Sequence, residues 1–198
     1  MCSKRIGLLG GTFDPPHIGH LIAAIHVKAE LELDEVRLIV ANRPWQKEGS
    51  RTITSAERRL AMTSAAAQAC EVEGIHASDI ELDIGGPSYM VETLERVQAD
   101  EPGSTFFVIV GADAAGELDT WHKADRLKSL ADFVFINRPG YVLPKADGWK
   151  FEVVEIPSID LSSSDLRQMV TDEKSLLFLT PRQVMQDIEA LGLYRLDQ

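Results

Sequence analysis

Cysteine is almost missing from this 198-residue chain. There are two, Cys2 and Cys70, and neither belongs to a CxxC or Cys/His pattern. That sets aside a disulfide framework and a thiolate metal site, and it suits a reducing, cytoplasmic setting. Long apolar runs are missing too. No stretch approaches the roughly 18 apolar residues of a spanning helix, so no membrane partner is expected. The chain opens on a strand pattern with no charged-then-apolar leader, so no signal peptide is expected. Positive charge is scarce: 20 Lys and Arg stand against 31 Asp and Glu, a net charge of −11. A general nucleic-acid or membrane-surface binder would show a basic field, so no nucleic-acid partner is expected. An anionic ligand would have to be met locally, by a few cations and backbone N–H groups.

What is present is an alternation of strand and helix patterns. "RIGLL" (5–9) reads as a buried strand. Over 18–33, Leu21, Ile25, Ala29 and Leu33 form one helical stripe. "EVRLIVA" (35–41) is a second strand, followed by the polar loop 42–51. Thr54 with Glu57 three residues on is a capping-box signature for a helix over 54–69. "GIHASDIELDI" (74–84) holds another strand or two, "GGP" (85–87) breaks it, and Ser88 opens a helix over 89–99. "TFFVIVGAD" (105–113), "LADFVFINRPG" (130–140) and "KFEVVEIP" (150–157) read as strands. A Ser-capped helix spans 162–170, and Pro181 starts a last helix at its favoured first position. The pattern predicts an α/β fold, a Rossmann-like, mostly parallel open sheet with helices on both faces. A single domain over 1–198 is expected, with a small helical part from about 160. Ligands of such sheets lie beyond the strands' carboxyl ends, where the polar motifs fall.

The densest motif is "GGTFDPPHIGH" (10–20). Gly10 and Gly11 follow the first strand, where glycine permits a sharp turn and close ligand approach. His17 and His20 then fall at or near a helix start. Exposed N–H groups and the positive dipole end make an anion site there. Three residues apart on a helix, the two rings share a face. That suggests phosphate contacts. A metal would need third and fourth ligands; Asp14 is near, but no other His/Cys cluster stands out. Near the other end, "LSSSDLR" (161–167) places Ser162, Ser163 and Ser164 at a helix start, with Arg167 one turn on, its planar fork suited to phosphate. The run "GLLGGTFDPPH" does not fit the GxGxxG of a dinucleotide-dependent oxidoreductase.

His17-Ile18-Gly19-His20 resembles the (H/T)xGH signature of a nucleotidyltransferase superfamily, and "LSSSDLR" resembles its ISSTxxR. Together with "SYMVETL" (88–94), "FFVIVGADAAGELDTWHKADRL" (106–127) and "FVFINRPG" (133–140), nearly the whole chain is similar to nicotinate-nucleotide adenylyltransferases. The resemblance implies transfer of the adenylyl group of ATP to nicotinate mononucleotide. The products would be nicotinate adenine dinucleotide and pyrophosphate, in NAD biosynthesis. It implies an ATP site at Gly10, Gly11, Thr12, Phe13, His17, Gly19, His20, the Ser162–Ser164 cap and Arg167, with His17, His20 and Arg167 catalytic. Trp121, the backbone of His122 and the Ser88-Tyr89-Met90 turn would frame the nicotinate. An indole face suits an electron-poor pyridinium; the alternative for Trp121 is a core indole at a helix start. Asp113 would hold the ribose or order the site, or cap a helix. Lys47 would reach the phosphate of the mononucleotide or the ATP tail, and Arg138 would serve the mononucleotide. Two departures stand out: Met90 replaces a common Thr, and Pro44-Trp45-Gln46-Lys47 replaces Pro-Pro-His-Lys.

Nothing in the chain calls for a covalent nucleophile. The acceptor's 5′-phosphate is already anionic, so direct in-line attack on the α-phosphorus is expected, helped by positioning and charge neutralisation. Mg²⁺ would ride mainly on the ATP phosphates, without a dedicated carboxylate cage. Rival readings are an adenylyltransferase acting on phosphopantetheine or on nicotinamide mononucleotide, and a non-catalytic nucleotide-binding regulator. The oligomeric state, with a homo-oligomer among the options, stays open.

Overall fold

Six parallel strands form the middle layer of the computed structural model, which describes residues 3–45, 52–111, 115–137, 148–157 and 159–195. They are β1 (Arg5–Gly11), β2 (Glu35–Val40), β3 (Ile75–Ser78), β4 (Thr105–Gly111), β5 (Asp132–Asn137) and β6 (Phe151–Glu155), in the order β3-β2-β1-β4-β5-β6. Strand order reverses between β1 and β4, which pair in register from Arg5–Thr105 to Leu9–Ile109. The helices are α1 (Ile18–Glu30), α2 (Ala56–Ala69), α3 (Ile80–Ile84), α4 (Met90–Asp100), α5 (Ala124–Leu130), α6 (Ser163–Thr171) and α7 (Arg182–Ala190).

Both faces are covered because neighbouring strand residues point to opposite sides. Leu9 and Ile109 join the core beneath α1, α2, α6 and α7, with Val27, Met62, Leu166 and Val184. Leu8 and Val108 join the opposite core with Val91, Leu94 and Val97 of α4 and Leu127 of α5. The C-terminal helices therefore bury into the same core as the first strand. No helix among the described residues is long and apolar enough to cross a membrane.

Local corrections to the sequence reading follow from backbone bonding. The 74–84 segment is a four-residue strand and then a helical turn, closed by Gly85 at φ +76°. The cap of α2 is Ser55, whose hydroxyl accepts from Arg58 N–H, not Thr54; the Thr54 N–H goes to the Asp14 carboxylate. Helix α4 opens at Met90, because the Ser88 hydroxyl accepts from Arg43 N–H instead of capping it. Pro181 occupies the cap of α7, one residue before the first helical position.

Candidate active site

The chain brings two constellations to the carboxyl edge of the sheet. The first is the loop between β1 and α1. Gly10 and Gly11 belong to β1 itself, so they do not form the expected sharp turn. Gly11 is needed for another reason: a Cβ there would lie 2.7 Å from the Phe13 ring. Phe13 has φ +49° and is 1% exposed, its ring edge-on to His20 at 4.9 Å. Its side chain is core, and it can meet a nucleotide only through its backbone.

His17 is the N-cap of α1, its ring accepting from Gly19 N–H, while the His20 ring accepts from His17 N–H. The two histidines thus form a reciprocal capping box. Gly19 has no side chain because the His17 ring lies where one would go, 2.9 Å from an ideal Cβ. In both rings Nδ1 is the acceptor. A neutral imidazole accepting at Nδ1 carries its proton on Nε2, so the fold fixes both tautomers with Nε2–H as donor. The rings pack at 3.7 Å, tilted by 32°. The spacing suggested a shared helix face; the structure adds that the first ring caps the helix.

The loop is held from the far end of the chain. Three successive carbonyls accept from three C-terminal side chains: Asp14 from Arg167 (2.8 Å), Pro15 from Ser163 (2.8 Å) and Pro16 from Thr180 (2.7 Å). Ile18 N–H donates to the Leu179 carbonyl. The fully buried Asp14 side chain accepts from the Tyr194 hydroxyl at 2.6 Å. Burial, with the Asp14 charge beside it, holds the Tyr194 phenol protonated far above its ordinary range. Buried Arg59 donates to the carbonyls of Thr12, Asn42 and Thr54. Sequence reasoning missed Tyr194, Thr180 and Arg59, because nothing local marks a side chain whose partner is a distant carbonyl.

The serine cap differs from the expected row of ligand-facing hydroxyls. Ser162 exchanges bonds with Asp165, a second capping box that holds the Asp165 carboxyl below its ordinary range. The Ser163 proton goes to Pro15. Ser164 accepts from Arg167 and keeps its own proton to donate. Arg167 is brought beside the glycine-rich loop, its guanidinium oriented by the Asp14 carbonyl and the Ser164 hydroxyl.

The second constellation is a cavity of about 290 Å³ at the ends of β1, β2 and β4. Gly10, Gly11 and Thr12 form one side; Pro44, Trp45, Glu81, Ser88, Tyr89, Met90, Trp121 and His122 lie around the remainder, over a floor that includes Ile39, Val108 and Leu127. His17, His20 and Arg167 do not line it. Tyr89 stacks on His122 at 4.3 Å and faces Trp45 at 6.2 Å. The Met90 methyl lies 3.1 Å from where a Gly10 Cβ would be. Trp121 both lines the cavity and packs on the core, and its buried Nε1–H has no hydrogen-bond partner among the described residues. Glu81, 7% exposed, also escaped the sequence reading, since it sits at the polar position of an apparent strand. Lys47, Asp113 and Arg138 lie outside the described residues. Among the described residues no three His, Cys, Asp or Glu side chains are placed to hold a metal.

A cytidylyltransferase-like family model matches residues 8–169. A protein of Bacillus cytotoxicus named probable nicotinate-nucleotide adenylyltransferase is 41% identical over 192 residues, covering 96% of this chain and 98% of its own. A protein of the same name from Streptomyces coelicolor is 40% identical over 189 residues, covering 94% and 99%. The solved structure of Plasmodium falciparum nicotinic acid mononucleotide adenylyltransferase complexed with NaAD superimposes with a TM-score of 0.80 at 18% identity, over 96% of this chain and 97% of that one. The chain therefore belongs to the cytidylyltransferase-like family and, within it, to the nicotinate-nucleotide adenylyltransferases.

Proposed function

We infer that this protein transfers the adenylyl group of ATP to nicotinate mononucleotide, releasing pyrophosphate and forming nicotinate adenine dinucleotide for NAD synthesis. The observation that carries the reading is the pairing of the two constellations. A phosphate-suited histidine cap and an aromatic cavity share the glycine-rich end of β1. ATP lies along the loop at Gly10–Phe13, with its phosphates toward the α1 start. The His20 Nε2–H donates to the α-phosphate as charge builds in the transition state, and His17 donates beside it. Arg167, Ser164 and the N–H groups at the α6 start hold the β and γ oxygens. Mg²⁺ bound through the ATP phosphates would supply further charge neutralisation beside these residues. The acceptor's ring enters the cavity against Trp121, flanked by His122 and the Ser88–Met90 turn, and Lys47, Asp113 and Arg138 serve its ribose and phosphate. Its 5′-phosphate oxygen attacks the α-phosphorus in line, so no side chain need take a proton. This chemistry uses no nucleic acid or membrane and fits a cytoplasmic enzyme.

The test is pyrophosphate release with ATP and Mg²⁺, comparing nicotinate mononucleotide, nicotinamide mononucleotide and phosphopantetheine. Release at least about tenfold better with nicotinate mononucleotide is expected, one decade being about 1.4 kcal/mol of discrimination. Equal release with the amide would mean that the site reads the ring and not its substituent. No release with any acceptor would overturn the reading in favour of a nucleotide-binding regulator.

A further inference from the structure

Glu81 is a buried acid in the wall of the cavity, and none of the steps above uses it. Its carboxyl accepts from the Thr93 hydroxyl at 2.8 Å, and the Ser88 hydroxyl and the Asn42 backbone N–H are further donors beside it that favour the ionised form, while burial pushes its pKa up. These donors come from three separate segments: α4, the turn that precedes it, and the loop after β2. The same two loops are stitched together around the carboxylate. Asn42 Nδ2 donates to the Gly86 carbonyl at 2.9 Å. Ser88 N–H donates to the Arg43 carbonyl at 3.0 Å, and Arg43 N–H to the Ser88 hydroxyl at 3.2 Å. The Asn42 carbonyl accepts from Arg59 at 3.1 Å, which fixes the backbone of this loop from its other side.

The consequence is geometric. Pro44 and Trp45 follow the Asn42 peptide within three residues, and Tyr89 and Met90 follow Ser88 within two; all four line the cavity. We propose that Glu81 is a positioning residue that sets the specificity-determining wall for the acceptor's ring, by tying the Asn42–Trp45 loop and the Ser88–Met90 turn to one carboxylate. Removing the carboxyl leaves the buried Thr93 hydroxyl with only its long bond to the Tyr89 carbonyl, takes away the group that the half-buried Ser88 hydroxyl and Asn42 N–H face, and gives both loops reason to move. Arg59 bonds both Thr12 and Asn42, but the phosphate loop has four further supports that the wall does not share, in Arg167, Ser163, Thr180 and Tyr194. The effect should therefore fall on one substrate. This inference rests on the proposed function.

The experiment measures KM for nicotinate mononucleotide and for ATP, and kcat, in wild type, Glu81→Ala, Glu81→Gln and Thr93→Val, with a thermal melt of each to establish folding. Glu81→Ala should raise KM for nicotinate mononucleotide about tenfold or more, with KM for ATP within about twofold and kcat within about threefold, because uniform binding is lost without transition-state stabilisation. Glu81→Gln keeps an acceptor oxygen for Thr93 and should recover most of that loss. Thr93→Val removes one donor at nearly constant shape and should raise the same KM about two- to threefold. If Glu81→Ala does not fold, Thr93→Val and Glu81→Gln decide the matter. Both KM values and kcat moving together, or an unchanged acceptor KM in folded variants, would overturn the role of Glu81 alone. No turnover by the wild type would overturn the functional reading on which it rests.

Discussion

The two ends of the candidate site are built by opposite strategies. On the phosphate side, one short loop is gripped by residues from the far end of the sequence, through side-chain bonds to successive carbonyls. On the cavity side, the wall is assembled from three segments bonded mainly to one another and to one buried acid. The difference matches what the proposed function asks of each end. Developing charge on phosphate is stabilised by donors already fixed in place, and reorganising them during the reaction would forfeit the gain. A flat ring needs shape, aromatic faces and close walls.

The sharpest way to break the comparison is His20→Ala. If the capped His20 ring donates to the α-phosphate in the transition state, its loss should lower kcat by about 10²–10³. The variant also loses the acceptor for His17 N–H. His20→Asn, which offers both an acceptor and a donor, separates capping from catalysis: its melting temperature should return toward wild type while kcat stays low. Turnover near wild type in folded His20→Ala would remove the histidine from the mechanism.

A second cut falls on the support of the phosphate loop. Tyr194→Phe deletes the hydroxyl bonded to the buried Asp14 side chain and leaves that acceptor without it. A hydrogen bond to a charged group is worth about 1.5–3 kcal/mol, and a chain of this size shifts by about 2–4 °C per kcal/mol. Melting should fall by several degrees, and KM for ATP should rise with KM for the acceptor unchanged. A rise confined to the acceptor would mean that the two ends are not separately supported.

Trp121→Ala probes the other end. Loss of the indole face should raise KM for nicotinate mononucleotide about tenfold, with Trp121→Phe between, and KM for ATP should hold. Trp121 also packs on the core, so a melt must accompany the kinetics. An unchanged acceptor KM in a folded variant would assign Trp121 to packing only.

The same contrast governs what could be read from the sequence. The sheet and most helices followed from periodicity, since strands buried on both faces and one-sided helices announce themselves. His17, His20, Ser162 and Arg167 were legible because they fall within short motifs at two helix starts. Glu81 was not. Ile80, Leu82 and Ile84 alternate like a strand, and the true element is a five-residue helical turn whose acid faces inward. Tyr194 and Arg59 were hidden because their partners lie 180 and up to 47 residues away. Local pattern carries no record of such a pairing.

The smallest expected effect lies in the second capping box. Asp165 accepts from the hydroxyl and the N–H of Ser162, which hold its carboxyl below the ordinary carboxylate range of about 4. A depressed folded-state value means that the ionised form contributes stability above the unfolded value. That stability is lost as pH falls through the folded one. Asp165→Asn should therefore lower the melting temperature slightly near neutral pH, and it should make the loss of stability below about pH 4 shallower than in wild type. Because α6 carries Ser164 and Arg167 to the phosphate loop, the variant should also raise KM for ATP modestly and leave KM for the acceptor alone. An identical acid limb in both proteins would show that the Ser162–Asp165 box does not couple protonation to the fold. A shift in the acceptor's KM would show that the two ends of the site are linked through α6 after all.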